Sequence, residues 1–75
     1  MKVTVKLIGP LIYEGGFSEK ELDLAGPVTA AELSAAVKID RKRPVIMTRN
    51  GKAVAGGDFI EDGDRVVISH IYSGG

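Results

Sequence analysis

Ten basic and ten acidic side chains balance in a chain of 75 residues, and a chain this short buries only about 60% of the surface it exposes when unfolded. Zero net charge withholds the long-range attraction that gathers phosphates or anionic lipid, which argues against nucleic acid and membrane surfaces as partners. The absence of cysteine excludes disulfides, thiolate metal sites and a cysteine nucleophile. So small a chain is expected to form one domain that acts as a carrier, adaptor or subunit rather than as a complete enzyme. No apolar run approaches the roughly 20 residues that cross a bilayer, so a cytoplasmic location is expected, and the start at Met1 with the end at Gly74-Gly75 reads as a whole gene product.

Val3, Val5 and Leu7 alternate with Lys2, Thr4 and Lys6, the period of a strand with one wet and one buried face. This predicts a first strand over 2–8. Gly9-Pro10 breaks it, and Gly15-Gly16 follows Leu11-Ile12-Tyr13, so the connection is expected to be a loop or irregular hairpin. A second strand is predicted over 17–24, with Leu22 and Leu24 turned inward. Ala25-Gly26-Pro27 then stops the sheet, and Thr29-Ala30-Ala31-Glu32 matches a capping box that opens a helix at Ala30. Leu33, Ala36 and Val37 form its expected apolar stripe, and Pro44 is expected to end this part of the chain.

Val45 to Arg49 is rich in β-branched residues and precedes Asn50-Gly51, the pair that best tolerates a tight hairpin turn. A brief fourth strand over 52–54 follows, then a loop in which Phe59 and Ile60 are expected to plug the core. Asp62-Gly63-Asp64 marks another turn before a last strand over 65–70, and residues 71–75 are expected to form a flexible tail. The predicted fold class is α+β: a mixed sheet of four to five strands with one helix packed across one face. The first and last strands, both apolar, are expected side by side and parallel in its centre, with Val3, Val5, Leu7, Leu33, Val37, Met47, Val66 and Ile68 as core.

Arg49-Asn50-Gly51-Lys52-Ala53-Val54, Ile60-Glu61-Asp62-Gly63-Asp64-Arg65-Val66-Val67-Ile68 and the terminal Ser73-Gly74-Gly75 resemble the MoaD/ThiS family of sulfur carriers in order and spacing. The resemblance implies a ubiquitin-like β-grasp fold and no permanently bound cofactor. It also implies a partner, an E1-like adenylyltransferase of the MoeB/ThiF type, that uses ATP to convert the C-terminal carboxylate to an acyl-adenylate. A sulfur donor then displaces AMP and leaves a thiocarboxylate. Leu7-Ile8-Gly9-Pro10-Leu11 and the Ser-Gly-Gly ending look more like the MoaD branch, whose members serve molybdopterin biosynthesis on a larger, MoaE-like synthase subunit. The ThiS branch, which works with a thiazole synthase in thiamin biosynthesis, is the alternative, as is a ubiquitin-like modifier conjugated through Gly75. An interaction module with no chemistry at its end is the third possibility.

The chemistry suits the residues. The α-carboxyl of Gly75 has a reference pKa near 3.5 and is ionised at neutral pH, ready to attack the α-phosphate of ATP. Ser73 and Gly74 leave the tail thin enough to thread into a partner's active site, since glycine has no Cβ to collide. Tyr72 is expected to be gripped by that partner, because aromatic residues are over-represented among binding hot spots. Ile71 either joins it or closes the edge of the core. His70 lacks the companions of a catalytic base and reads as a strand residue. Lys38, Arg41, Lys42 and Arg43 form a basic run that is either a solvated connector or a contact for an acidic partner. No metal site is expected, since Asp58, Glu61, Asp62 and Asp64 lack calcium-loop spacing and the two aspartates fit turn chemistry.

Overall fold

The computed structural model describes residues 1–40 and 44–71. Arg41, Lys42 and Arg43 of the basic run, and Tyr72, Ser73, Gly74 and Gly75 of the expected tail, lie outside the described residues. The elements in chain order are β1 (Lys2–Leu7), α1 (Leu11–Gly15), β2 (Glu19–Asp23), β3 (Val28–Thr29), α2 (Ala30–Ala36), β4 (Val45–Arg49), β5 (Lys52–Val54), β6 (Phe59–Ile60) and β7 (Arg65–His70).

Five strands form one mixed sheet in the order β2-β1-β7-β4-β5, and β3 pairs with β6 in a small second sheet. As expected, the first and last strands are parallel neighbours, with Val5 beside Val66 and Leu7 beside Ile68. The Asn50-Gly51 hairpin sets Arg49 against Lys52 and Met47 against Val54. Both turn residues have positive φ, 52° for Asn50 and 86° for Gly51, the geometry that this dipeptide accommodates. This is the ubiquitin-like β-grasp architecture.

All eight predicted core residues are buried, and Leu11, Ala30, Ile39 and Ile60 join them. The capping box forms as read: the Thr29 N–H donates to Glu32 Oε1 at 2.8 Å, and the Glu32 N–H donates to Thr29 Oγ1 at 3.2 Å. These bonds satisfy amides at the helix start that have no partner within the helix. The backbone N–H of Thr29 first, and the Thr29 side chain second, favour the charged carboxylate and hold Glu32 below the ordinary glutamate range.

Four expectations need correction. Residues 11–15 form a short helix rather than a loop, because Leu11 is fully buried and Gly16 closes the turn at φ 82°, its N–H bonded to Ile12 O. The inward stripe of α2 is Ala30, Leu33 and Val37, whereas Ala36 is exposed. The helix stops before Pro44 acts on it. Lys38 takes φ 67°, its N–H bonds to Ala35 O, and the Ile39 N–H bonds to Ser34 O, which is the Schellman termination. Phe59, finally, is not a core plug: β6 pairs with β3, strand alternation gives the inward position to Ile60, and Phe59 is left 59% exposed.

Candidate partner-docking site

The one predicted site residue that the structure describes is Ile71. Its N–H donates to Pro44 O at 3.3 Å, one register step beyond the Val45–His70 pair. Proline has no N–H to return the bond, so the ladder between β4 and β7 ends there. Successive side chains alternate between faces. Val66 and Ile68 enter the core, and Val67 and Ser69 take the face away from the helix, with Ile71 continuing their series.

Neighbouring strands add apolar groups around Ser69. Ile46 lies opposite it on β4. On the other side the Ile8 N–H donates to Ile68 O at 3.0 Å, extending the parallel register so that Ile8 falls beside Ser69. Ile8, Ile46 and Ile71 are all exposed, Ile46 to 49%, and Val67 is half-buried. They form an apolar cluster at the end of the sheet where β7 leads into Tyr72. Helix α1 touches β1 and β7 and begins just after Ile8, Gly9 and Pro10; it presents Tyr13, 89% exposed. Farther along the same face the surface is charged: Arg65 Nη2 meets Glu19 Oε1 at 2.8 Å, and Lys2 Nζ stands 4.0 Å from Glu21 Oε1.

Ile8, Ile46 and Tyr13 had not been singled out from the sequence. A signal existed for Ile8, which occupies an even position in a strand whose other even members, Lys2, Thr4 and Lys6, are polar. Ile46 had the equivalent signal, standing between the inward Met47 and the half-buried Val45. His70 is a strand residue, half-buried at the end of β7. Lys38 serves the helix terminus.

The acidic residues of the last loops serve the backbone. Asp58 Oδ2 accepts from the Ala55 N–H at 2.8 Å, and Asp62 Oδ1 from the Lys2 N–H at 2.6 Å. Asp64 is buried; its Oδ2 accepts from the Glu61 N–H at 2.7 Å and its Oδ1 from Asn50 Nδ2 at 2.9 Å. Asn50 Oδ1 accepts in turn from the Arg65 N–H at 2.9 Å. This network lies at the start of β7, at the opposite end of the strand from Ile71. Among the motif residues that carry the family resemblance, Asn50, Asp62 and Asp64 therefore hold the fold, at a distance from the apolar cluster.

No protein-family model matches the chain, and no curated protein matches it. Its backbone is similar to those of several solved structures. A putative molybdopterin converting factor, subunit 1, from Pyrococcus furiosus has a TM-score of 0.77 at 23% identity, covering 93% of this chain and 97% of that one. SAMP1 from Haloferax volcanii has 0.74 at 22% identity, covering 100% of both chains. The thiamine biosynthesis protein ThiS from Geobacter metallireducens has 0.67 at 23%, again covering 100% of both. These neighbours are small ubiquitin-like proteins of the MoaD/ThiS type, in keeping with the resemblance found in the sequence, and the likeness establishes the fold.

Proposed function

We propose that this chain is a sulfur carrier that works through the carboxylate of Gly75. The reading is carried by one observation: a β-grasp domain, matched in backbone along its length by proteins of this type, gathers Ile8, Ile46 and Ile71 where β7 leads into Tyr72-Ser73-Gly74-Gly75. An E1-like adenylyltransferase of the MoeB/ThiF type docks on that cluster and grips Tyr72. A carboxylate oxygen of Gly75 attacks the α-phosphate of ATP, pyrophosphate leaves, and the acyl-adenylate forms. A sulfur donor then displaces AMP to give the thiocarboxylate. The chain acts as a carrier or small synthase subunit, and no side chain of its own needs to be a catalyst. The Leu7-Ile8-Gly9-Pro10-Leu11 segment and the Ser-Gly-Gly ending favour delivery to a molybdopterin precursor on a MoaE-like subunit over delivery to a thiazole synthase.

The test is intact-mass measurement after incubation with the activating enzyme, ATP and a sulfur source. One oxygen-for-sulfur exchange should appear, and fragmentation should place it on Gly75. Deleting Gly75, or adding a residue after it, should abolish the exchange. Gly74→Val should impair it by widening the tail. An extended chain that still supports cofactor synthesis would overturn the assignment.

A second reading has an observation of its own, since the Haloferax neighbour is described as a small archaeal modifier protein. In that reading the activated Gly75 forms an amide with target lysines. A ladder of conjugates in cells, with no free thiocarboxylate pool, would favour it.

A further inference from the structure

Strand β2 is a free edge of the main sheet. Its even residues face β1: the Leu7 N–H donates to Ser18 O and the Leu24 N–H to Met1 O, in the register that pairs Val3 with Leu22 and Val5 with Lys20. The N–H and C=O groups of Glu19, Glu21 and Asp23 therefore point away from the sheet. Proteins commonly blunt such an edge with a bulge, a proline, a very short strand or charged side chains. This one is five residues long and has neither a bulge nor a proline. The residues of β2 whose backbone groups point outward are all acidic, which repels a like-charged edge and favours a cationic one.

Two further features border the edge. Between β2 and α2 runs a groove of about 160 Å³ lined by Phe17, Lys20, Leu22, Ala36, Val37 and Lys38. Phe17, Leu22 and Val37 supply its apolar groups, and Lys20 and Lys38 border it, Lys20 Nζ lying 5.8 Å from the centroid of the Phe17 ring. On the opposite face stand the carboxylates of Glu19, Glu21 and Asp23, met on the β1 side by Arg65, Lys2 and the N-terminal ammonium and open on the other.

We propose that β2 accepts an extended segment of a partner protein as a sixth strand. Alternation fixes the chemistry of that segment. Every second residue lies beside the acidic row and is Lys or Arg; the residues between enter the groove, apolar beside Leu22 and acidic beside Lys20. Backbone bonding supplies affinity, and the alternating pockets supply specificity. A second copy of this chain does not fit. Antiparallel self-pairing about Glu21 would oppose Glu21 to itself and Glu19 to Asp23, and like charges directly opposite are destabilising. The apolar cluster runs from Ile46 on β4 to Ile8 at the end of β1, on the face toward which the acidic row points. The added strand bonds instead along the outer edge of β2, a separate surface from the docking site for tail chemistry.

The test uses the full chain and a synthetic capped peptide, Gly-Lys-Asp-Lys-Ile-Lys-Gly, followed by amide chemical shifts and hydrogen exchange. The amides of Glu19, Glu21 and Asp23 should shift and gain protection as peptide is added. A peptide of the same composition with the alternation scrambled should produce neither change. Reversing two charges together, Glu19→Lys and Glu21→Lys, should weaken binding about tenfold, the sum expected for two cross-strand ion pairs turned repulsive. Glu21→Pro removes an outward N–H and leaves the bonds to β1 in place, so the variant should remain folded and lose the peptide. Shifts confined to Ile8, Ile46 and Ile71, equal binding of the scrambled peptide, or full binding by the proline variant would each overturn the proposal. So would concentration-dependent shifts at β2 without peptide, since the occupant would then be a second copy.

Discussion

Asn50 and Asp64, 14 residues apart in sequence, meet side chain to side chain at 2.9 Å, so the hairpin turn and the Asp-Gly-Asp turn are one structure. Asn50 also accepts from the Arg65 N–H through its side chain and donates its own N–H to Arg65 O at 2.8 Å. The Arg49 Nε stands 3.6 Å from Asp64 Oδ2. Asn50 thus meets two demands at once, a positive φ and a side chain that reaches across to the start of β7.

Substitution separates those demands. Asn50→Gly keeps the turn geometry and removes the bridge, and should cost about 1 to 2 kcal/mol from the lost bonds and the unpaired Asp64 oxygen. Asp64→Ala also strips the Glu61 N–H of its acceptor and should cost more, about 2 to 4 kcal/mol. Urea denaturation checks both, as a shift of midpoint at constant slope. A loss for Asn50→Gly within error would assign the role of Asn50 to the turn alone.

Docking makes the second prediction. Ile46→Asp places a charge in the middle of the apolar cluster and, because Ile46 is exposed, should leave thermal stability within about 0.5 kcal/mol of the parent. Affinity for the activating enzyme should fall at least about tenfold, within the range seen when an interface hot spot is lost. Titration calorimetry on the purified pair measures it, and unchanged affinity would move the docking surface elsewhere.

The third concerns Lys38, a non-glycine residue in the left-handed region at the Schellman end of α2. Glycine adopts that conformation without the Cβ penalty. Lys38→Gly should therefore raise stability by about 0.5 to 1 kcal/mol, the penalty being partly offset by the greater freedom of glycine in the unfolded chain. The midpoint of thermal unfolding reports the sign.

The fourth is a pH dependence. Glu32 is held below the ordinary glutamate range by its bonds with Thr29, so its contribution to stability is complete above the unfolded-chain value of roughly 4.3. It is lost as pH falls through the lower folded value, because the unfolded chain takes up the proton first. Glu32→Gln cannot titrate. The stability difference between parent and variant should shrink steadily as urea midpoints are taken from about pH 6 down to about pH 3.

Much of the sheet was legible because its determinants are local. Alternation in 2–7 and 65–70, and the Asn50-Gly51 pair, fix faces and turns without reference to distant residues. Leu11 was misread because its burial depends on a pocket built by β1 and β7, while the flanking Gly-Pro and Gly-Gly pairs signal a loop. Phe59 was misread because only the pairing of β6 with β3 decides which of two adjacent apolar residues points inward. The docking cluster was half legible. Ile71 was expected near a partner from its place before the diglycine, whereas Ile8 and Ile46 become its neighbours only when three strands come into register. Tyr72, Ser73, Gly74 and Gly75 lie outside the described residues, and their role rests on the sequence resemblance.

The parallel contact between β1 and β7 also bears on when the protein can be used. The middle of the sheet is made from strands far apart in sequence, so its central pairing closes a loop of about 60 residues and cannot form until Arg65 to His70 have been made. Such long-range closure slows folding relative to locally wired domains of the same size. A nascent chain therefore has no sheet centre on which Ile8, Ile46 and Ile71 can assemble until Arg65 to His70 have been added. A partner that docks on the cluster is thereby blind to any chain in which β7 has not yet joined the sheet.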